Sequence, residues 1–139
     1  MSVVASVVAA KGGTGSSTVA LNLGMALQAR GRQVTVIDAN TDTPDVGVML
    51  GVSRVLMALP HVLKGQASIH EAVYTHESGV NIIPSSIHTH DLIETHLKSL
   101  GHHIQQLRDD VIILDSKPSN KPDHSHPRHH AIETLIVTT

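Results

Sequence analysis

The residues of this 139-residue sequence whose types and spacing could do chemistry run together near its start: Ala10-Lys11-Gly12-Gly13-Thr14-Gly15-Ser16-Ser17-Thr18. Three glycines, one lysine and a run of hydroxyls suit an anion. Glycine lets successive backbone N–H groups converge on one point, and a helix that opens directly afterwards adds partial positive charge there. The chemistry implied is the cradling of phosphate. The spacing approaches the phosphate-binding pattern G-x-x-x-x-G-K-[ST] and departs from it twice. Ala10 stands at the first glycine, and Ser16 stands where a lysine would reach the β- and γ-phosphates. A strand–helix turn that keeps its shape with no ligand is the alternative reading of the same glycines.

Such a loop works only if a strand leads in and a helix leads out. Val3–Ala9 is an apolar run of the kind expected for a central parallel strand. A helical pattern from Ser17 to about Arg30 puts Val19, Leu23 and Leu27 on one side, with Gly31 as its stop. Gln33–Asp38 reads as a second strand, with Asp38 at the carboxyl end where ligands gather in open α/β sheets. Pro44 starts a short helix over Asp45–Leu50, and Leu56–Leu63 reads as two helical pieces broken at Pro60. Ser68–Tyr74 suggests another short helix, Glu77-Ser78-Gly79 a turn and Val80–Pro84 a third strand. Asp91 to Leu107 carries Leu92, Ile93, Leu97, Leu100, Ile104 and Leu107 on one helical stripe. Val111–Asp115 is a fourth strand, Lys117 to His130 a proline-containing loop, and Ile132–Thr138 a fifth strand. Strands alternating with helices predict an α/β fold in three layers with a mainly parallel sheet of about five strands.

Lys11-Gly12-Gly13-Thr14-Gly15 followed by Ser17-Thr18-Val19-Ala20-Leu21-Asn22-Leu23-Gly24 resembles the deviant Walker A region of the MinD/ParA P-loop ATPases, in the archaeal MinD-like flavour. Arg32-Gln33-Val34-Thr35-Val36-Ile37-Asp38-Ala39-Asn40 resembles that family's second strand and switch I, and Val111-Ile112-Ile113-Leu114-Asp115-Ser116 its Walker B strand. The resemblance implies the strand order 3-2-4-1-5, with ATP or ADP and Mg²⁺ as cofactors. It implies that Gly12, Gly13, Thr14, Gly15, Ser16, Ser17 and Thr18 hold phosphate, with Asp115 beside them. Ser17, Asp38 and Asp115 would act around Mg²⁺, Asp38 also in positioning water, and Lys11 would reach across a sandwich dimer. Strand-end carboxylates that only cap loops are the alternative for Asp38 and Asp115. Ser16 replaces the intrasubunit lysine, Asn40 replaces a carboxylate, and Lys117-Pro118-Ser119 departs from the usual sequel to Walker B. Hydrolysis is therefore expected to be weak or absent, and function to run through dimerisation or partner binding.

Composition sets the outer bounds. The length allows one domain, 1–139, with a real core. It is short for a complete MinD-like ATPase, so a C-terminally truncated form is expected. A net charge of −2 gives no electrostatic case for nucleic acid. The absence of cysteine removes disulfides and thiolate metal sites and fits a cytoplasmic protein. No apolar run reaches the roughly 20 residues of a membrane span. With no Phe or Trp and only Tyr74, the core must be built from Val, Ile, Leu, Ala and Met. The fifth strand would be an open apolar edge, which predicts a homodimer or higher oligomer.

The 12 histidines form a second candidate. His124, His126, His129 and His130 crowd the loop after the fourth strand, and clustered imidazoles bind Zn²⁺ or Ni²⁺. Solvated polar side chains are the alternative. A metal-binding or engineered assembly scaffold on a MinD-like fold is the corresponding second function.

Overall fold

The computed structural model describes residues 3–9, 16–39, 57–85, 99–116 and 133–137. Its elements are β1 (Val3–Ala9), α1 (Ser16–Ala29), β2 (Val34–Asp38), α2 (Leu59–Leu63), a 3-10 turn (Ile69–Ala72), β3 (Tyr74–Thr75) and β4 (Asn81–Ile83), then α3 (residues 99–105), β5 (Val111–Ser116) and β6 (Glu133–Val137). One sheet holds all the strands in the order β3-β4-β2-β5-β1-β6. Every pairing is parallel except β3 with β4. The five anticipated strands thus stand in the anticipated order, and β3 is an addition at one edge.

Alternation along the strands sorts the core into two layers. Val34, Val36, Ile113 and Val7 face α1, together with Ala20, Leu21, Val80 and Ile82. Val4, Ile37, Ile112, Leu114 and Ile83 face the other way and meet Leu59, Val62, Leu63, Ile69, Leu100, Ile104 and Leu107. Both faces of the central strands are covered, which is why β2 and β5 read as near-continuous apolar runs. The fully buried large side chains among the described residues are all Ile, Leu or Val; Met25 and Met57 only pack against the margins.

Asp110 fastens the entry to β5. Its carbonyl accepts from Val3 N–H at 2.9 Å, and its carboxylate accepts from Gln33 N–H at 2.9 Å. Next to it, Thr35 Oγ1 donates to the Asp109 carboxylate. β5 is thereby tied to β1 on one side and β2 on the other before the strands begin. The register that follows pairs Val34 with Val111 and ends by pairing Asp38 with Asp115.

Three local readings change. Pro60 does not break a helix: it is the second residue of α2, in a first turn whose N–H groups have no intrahelical partner to lose. His61 Nδ1 accepts from Ala58 N–H at 3.0 Å and caps that turn. The short helix expected over Ser68–Tyr74 is a 3-10 helix confined to Ile69–Ala72, closed by Ser68 N–H donating to Glu71 Oε2 at 2.7 Å and followed by β3. Tyr74 Oη donates to Met57 carbonyl at 2.9 Å and accepts from Met57 N–H at 3.1 Å, fixing the approach to α2. The third change concerns α1. Its line of buried residues is Ser17, Ala20, Leu21 and Gly24, while Val19, Leu23 and Leu27 are half-buried at the flanks. Gly31 does end the helix, at φ +84°, and Gly79 turns at φ +92° in the expected Glu77-Ser78-Gly79 turn. The anticipated helix over Asp45–Leu50, the first half of the 91–107 helix and the loop 117–130 lie outside the described residues.

In α3, His103 is half-buried and its Nδ1 is enclosed with no hydrogen-bond partner among the described residues. Burial, and secondarily the neighbouring His102, hold its pKa below the ordinary value. The unfolded chain therefore binds the proton more readily, and stability present above the ordinary histidine value of about 6.5 is lost as pH falls through the folded value. We expect the urea midpoint to decline between about pH 7.5 and about pH 5, and His103→Gln to decline less over that window. Equal slopes for the two proteins would count against this assignment.

Candidate functional site

β1 and β2 are consecutive parallel strands, yet β5 lies between them. The connection through α1 must therefore pass over β5. This crossing brings the first turn of α1 above the carboxyl end of β5, where Asp115 lies. Asp38 and Asp115 are register partners on neighbouring parallel strands. Both occupy odd steps along the α1-facing rows Val34-Val36-Asp38 and Val111-Ile113-Asp115, so both point toward the helix. Both are completely buried.

Ser17, in the first turn of α1, is nearly buried, and its Oγ donates to Asp115 Oδ2 at 2.6 Å. Ala39 N–H donates to the Asp115 carbonyl at 2.9 Å, which holds the end of β2 against β5. The first turn of α1 contains no acidic side chain to take up its partial positive charge. Thr18, one residue beyond Ser17, is exposed on the same turn.

This set combines two carboxylates and a hydroxyl, all hard oxygen donors. Neighbouring strands lie about 4.8 Å apart, so two buried carboxylates at this spacing repel unless an opposite charge joins them. A small divalent cation meets that need and takes oxygen ligands by preference. The residues therefore fit Mg²⁺. Among the described residues no group of three or more His, Asp or Glu is arranged to hold a metal. His124, His126, His129 and His130 lie outside the described residues, as do Lys11, Gly12, Gly13, Thr14, Gly15 and Asn40. Ser16 is the first residue of α1.

A cavity of about 580 Å³ lies at the opposite end of the sheet, lined by Thr35, His70, Asn81, Leu107, Arg108 and Asp109 among others. It shares no residue with the Ser17–Asp115 site.

The described part of the arrangement is a parallel strand and a helix whose first turn meets two buried carboxylates, and the comparisons identify the family. The ParA family model, described as NUBPL iron-transfer P-loop NTPase, matches residues 1–120. The chain belongs to the ParA family of P-loop NTPases. Among relatives of this ParA chain, the septum site-determining protein MinD of Thermotoga maritima is 31 % identical over 142 residues, covering 96 % of the chain and 51 % of the relative. The structure of MinD from Pyrococcus horikoshii OT3, complexed with Mg-ADP, superposes with a TM-score of 0.85 at 30 % identity, covering 99 % of the chain and 58 % of MinD. The MinC:MinD cell division complex of Aquifex aeolicus matches with a TM-score of 0.79 at 25 % identity, over 97 % of the chain and 55 % of its counterpart. The chain thus spans about half the length of the relatives it matches. Among the described residues no helix is long and apolar enough to cross a membrane.

Sequence reasoning had named Ser17, Asp38 and Asp115, and the structure brings these three to one place. It had passed over Gly24, whose available signal was a small residue on the same helical stripe as Ser17, seven positions on.

A cation held by this set stabilises the folded chain by mass action. With ADP in excess, Mg²⁺ at about ten times its dissociation constant should stabilise the protein by about 1.4 kcal/mol, read from the denaturation midpoint. Asp115→Asn should abolish that gain. The same gain in wild type and variant would place the cation elsewhere.

Proposed function

We propose that this ParA-family chain is an ATP-binding portion whose site holds Mg-ATP or Mg-ADP but hydrolyses ATP poorly. The observation that carries the proposal is the buried Ser17 hydroxyl on Asp115, beside Asp38 and under the start of α1. In this reading the backbone of Gly12, Gly13, Thr14 and Gly15, with Ser16, Ser17 and Thr18, surrounds the phosphates, and Lys11 adds positive charge. Ser17 and Asp115 would hold Mg²⁺, with Asp38 alongside. The ion's chemistry is to neutralise charge shared with the phosphate oxygens.

Poor hydrolysis follows from two side chains. Phosphoryl transfer depends on positioning and on fixed charge at the γ-phosphate. Ser16 supplies a hydroxyl but no charge, which removes a charge-assisted contact of roughly 1.5–3 kcal/mol. Asn40 stands where the MinD/ParA pattern has a carboxylate to orient water, leaving Asp38 as the nearby acid. In this reading a chain of this kind acts through assembly, nucleotide binding favouring a dimer or a complex with a protein partner; the MinD of Aquifex aeolicus forms a complex with MinC.

Calorimetric titration of the metal-stripped protein with Mg-ATP, at protein above about 100 μM to capture weak binding, tests the proposal. Saturable binding is expected from the unmodified chain, loss in Gly15→Val, and a gain of about one to two decades in affinity in Ser16→Lys. No heat from either the wild type or Ser16→Lys would overturn it. The assembly half is read separately by light scattering: we expect ATP to double the mass, and Lys11→Ala to remove the doubling. A mass unchanged by ATP in the wild type would show that binding and assembly are unconnected.

A further inference from the structure

Gly24 occupies a helix interior, where glycine is disfavoured relative to alanine. Its φ is not positive, unlike those of Gly31, Gly65 and Gly79, so backbone freedom does not account for it. Space does. A Cβ at this position would lie 3.0 Å from Val36 Cγ2, and 3.7 Å from both Ile113 Cδ1 and Val34 Cγ1. The 3.0 Å contact is too close for an unmoved neighbour, and Val36 is β-branched, with little χ1 freedom to retreat. Gly24 is therefore the point at which α1 comes down onto the sheet, in the seam between β2 and β5.

The same seam ends in the nucleotide site. Val36 and Ile113 each stand two residues before the carboxylates, Asp38 and Asp115, on the same face of the same strands. Gly24 and Ser17 share the buried stripe of α1, two turns or about 10.5 Å apart along the axis. Between them are only Ala20 and Leu21 on that stripe, both buried. Helix and strands are stiff on this scale, so the depth of α1 at Gly24 controls the height of Ser17 over Asp115. A 2.6 Å hydrogen bond has little tolerance for a lift of several tenths of an ångström.

We propose that Gly24 is a positioning residue: by seating α1 on Val36 and Ile113 it sets the Ser17–Asp115 distance, and through it the Mg²⁺-dependent part of nucleotide affinity. The second half rests on the nucleotide reading given above; the first does not.

The test is a double-mutant cycle in urea, which needs no nucleotide. In the otherwise unaltered chain, Ser17→Ala should lower the folding equilibrium constant by about tenfold or more, the worth of one hydrogen bond to a carboxylate. In a Gly24→Val background the same change should cost almost nothing, because the bond is already lost. Adding Val36→Ala should make room for the new side chain and restore the full cost. Gly24→Ala serves if Gly24→Val does not fold, and any loss it causes runs against the helix propensity that alanine adds. A Ser17→Ala cost that is equal in all backgrounds overturns the proposal. The functional half is read as the ratio of ADP affinities with and without Mg²⁺. That ratio should fall about tenfold in Gly24→Val and recover with Val36→Ala, whereas mere destabilisation would leave it unchanged and so overturn the functional link. A wild-type chain that binds no ADP would overturn the nucleotide reading instead, and the urea cycle would still decide whether Gly24 positions Ser17.

Discussion

The placement of two fully buried carboxylates side by side at the carboxyl end of the sheet is the constraint on which the rest of this structure depends. Asp38 and Asp115 are put there by register, and the register starts at the other end. Asp110 joins β1 through its carbonyl and β2 through its carboxylate, so β5 enters the sheet already aligned with both neighbours. Five pairs later the two acids are level. Their burial is unfavourable by itself. What makes it tolerable in the protein alone is partly visible: the Ser17 hydroxyl donates to Asp115, and the electropositive start of α1 lies above. Two carboxylates and a hydroxyl are thereby gathered at one point of the fold.

The topology explains why these groups meet although they are far apart in sequence. Ser17 and Asp115 are separated by 98 positions, and neither local propensity nor spacing relates them. The connection is that β5 inserts between β1 and β2, forcing α1 to cross it. An order in which β1 and β2 were neighbours would leave α1 over a different pair of strands and Ser17 without Asp115 beneath it.

Much of this was legible in the sequence, for identifiable reasons. Long apolar runs bounded by polar turns mark β1, β2 and β5, and Gly31 marks the end of α1 because only a residue free to adopt positive φ closes the helix there. The strand order came from resemblance to MinD/ParA proteins, not from periodicity, and the sheet agrees with it. The failures are local. Pro60 looked like a break because its position within the helix was unknown, and proline in a first turn costs no hydrogen bond. β3 escaped because two residues carry no alternation to read, and its stability comes from pairing with β4 and from the Tyr74 hydroxyl on Met57. The line of α1 closest to the sheet was not legible because hydrophobicity draws attention to Val19, Leu23 and Leu27, which pack at its flanks, whereas that line is made of smaller residues. Size, not hydrophobicity, decides which face approaches most closely.

The absence of Phe and Trp carries that point into the site. An aromatic ring between helix and sheet sets a wide spacing and fills it with a shape that can rotate or tilt. Here the layer under α1 is Val7, Val34, Val36, Ile82 and Ile113 from the strands, and Ala20, Leu21 and Gly24 from the helix. β-Branched side chains have few rotamers available, and small partners bring the helix backbone close to them. Close-packed interiors transmit small displacements instead of absorbing them. The aliphatic core and the short Ser17–Asp115 hydrogen bond are therefore aspects of one arrangement: a helix held low and firmly enough that a serine, with the shortest hydroxyl side chain available, reaches a carboxylate buried in the sheet.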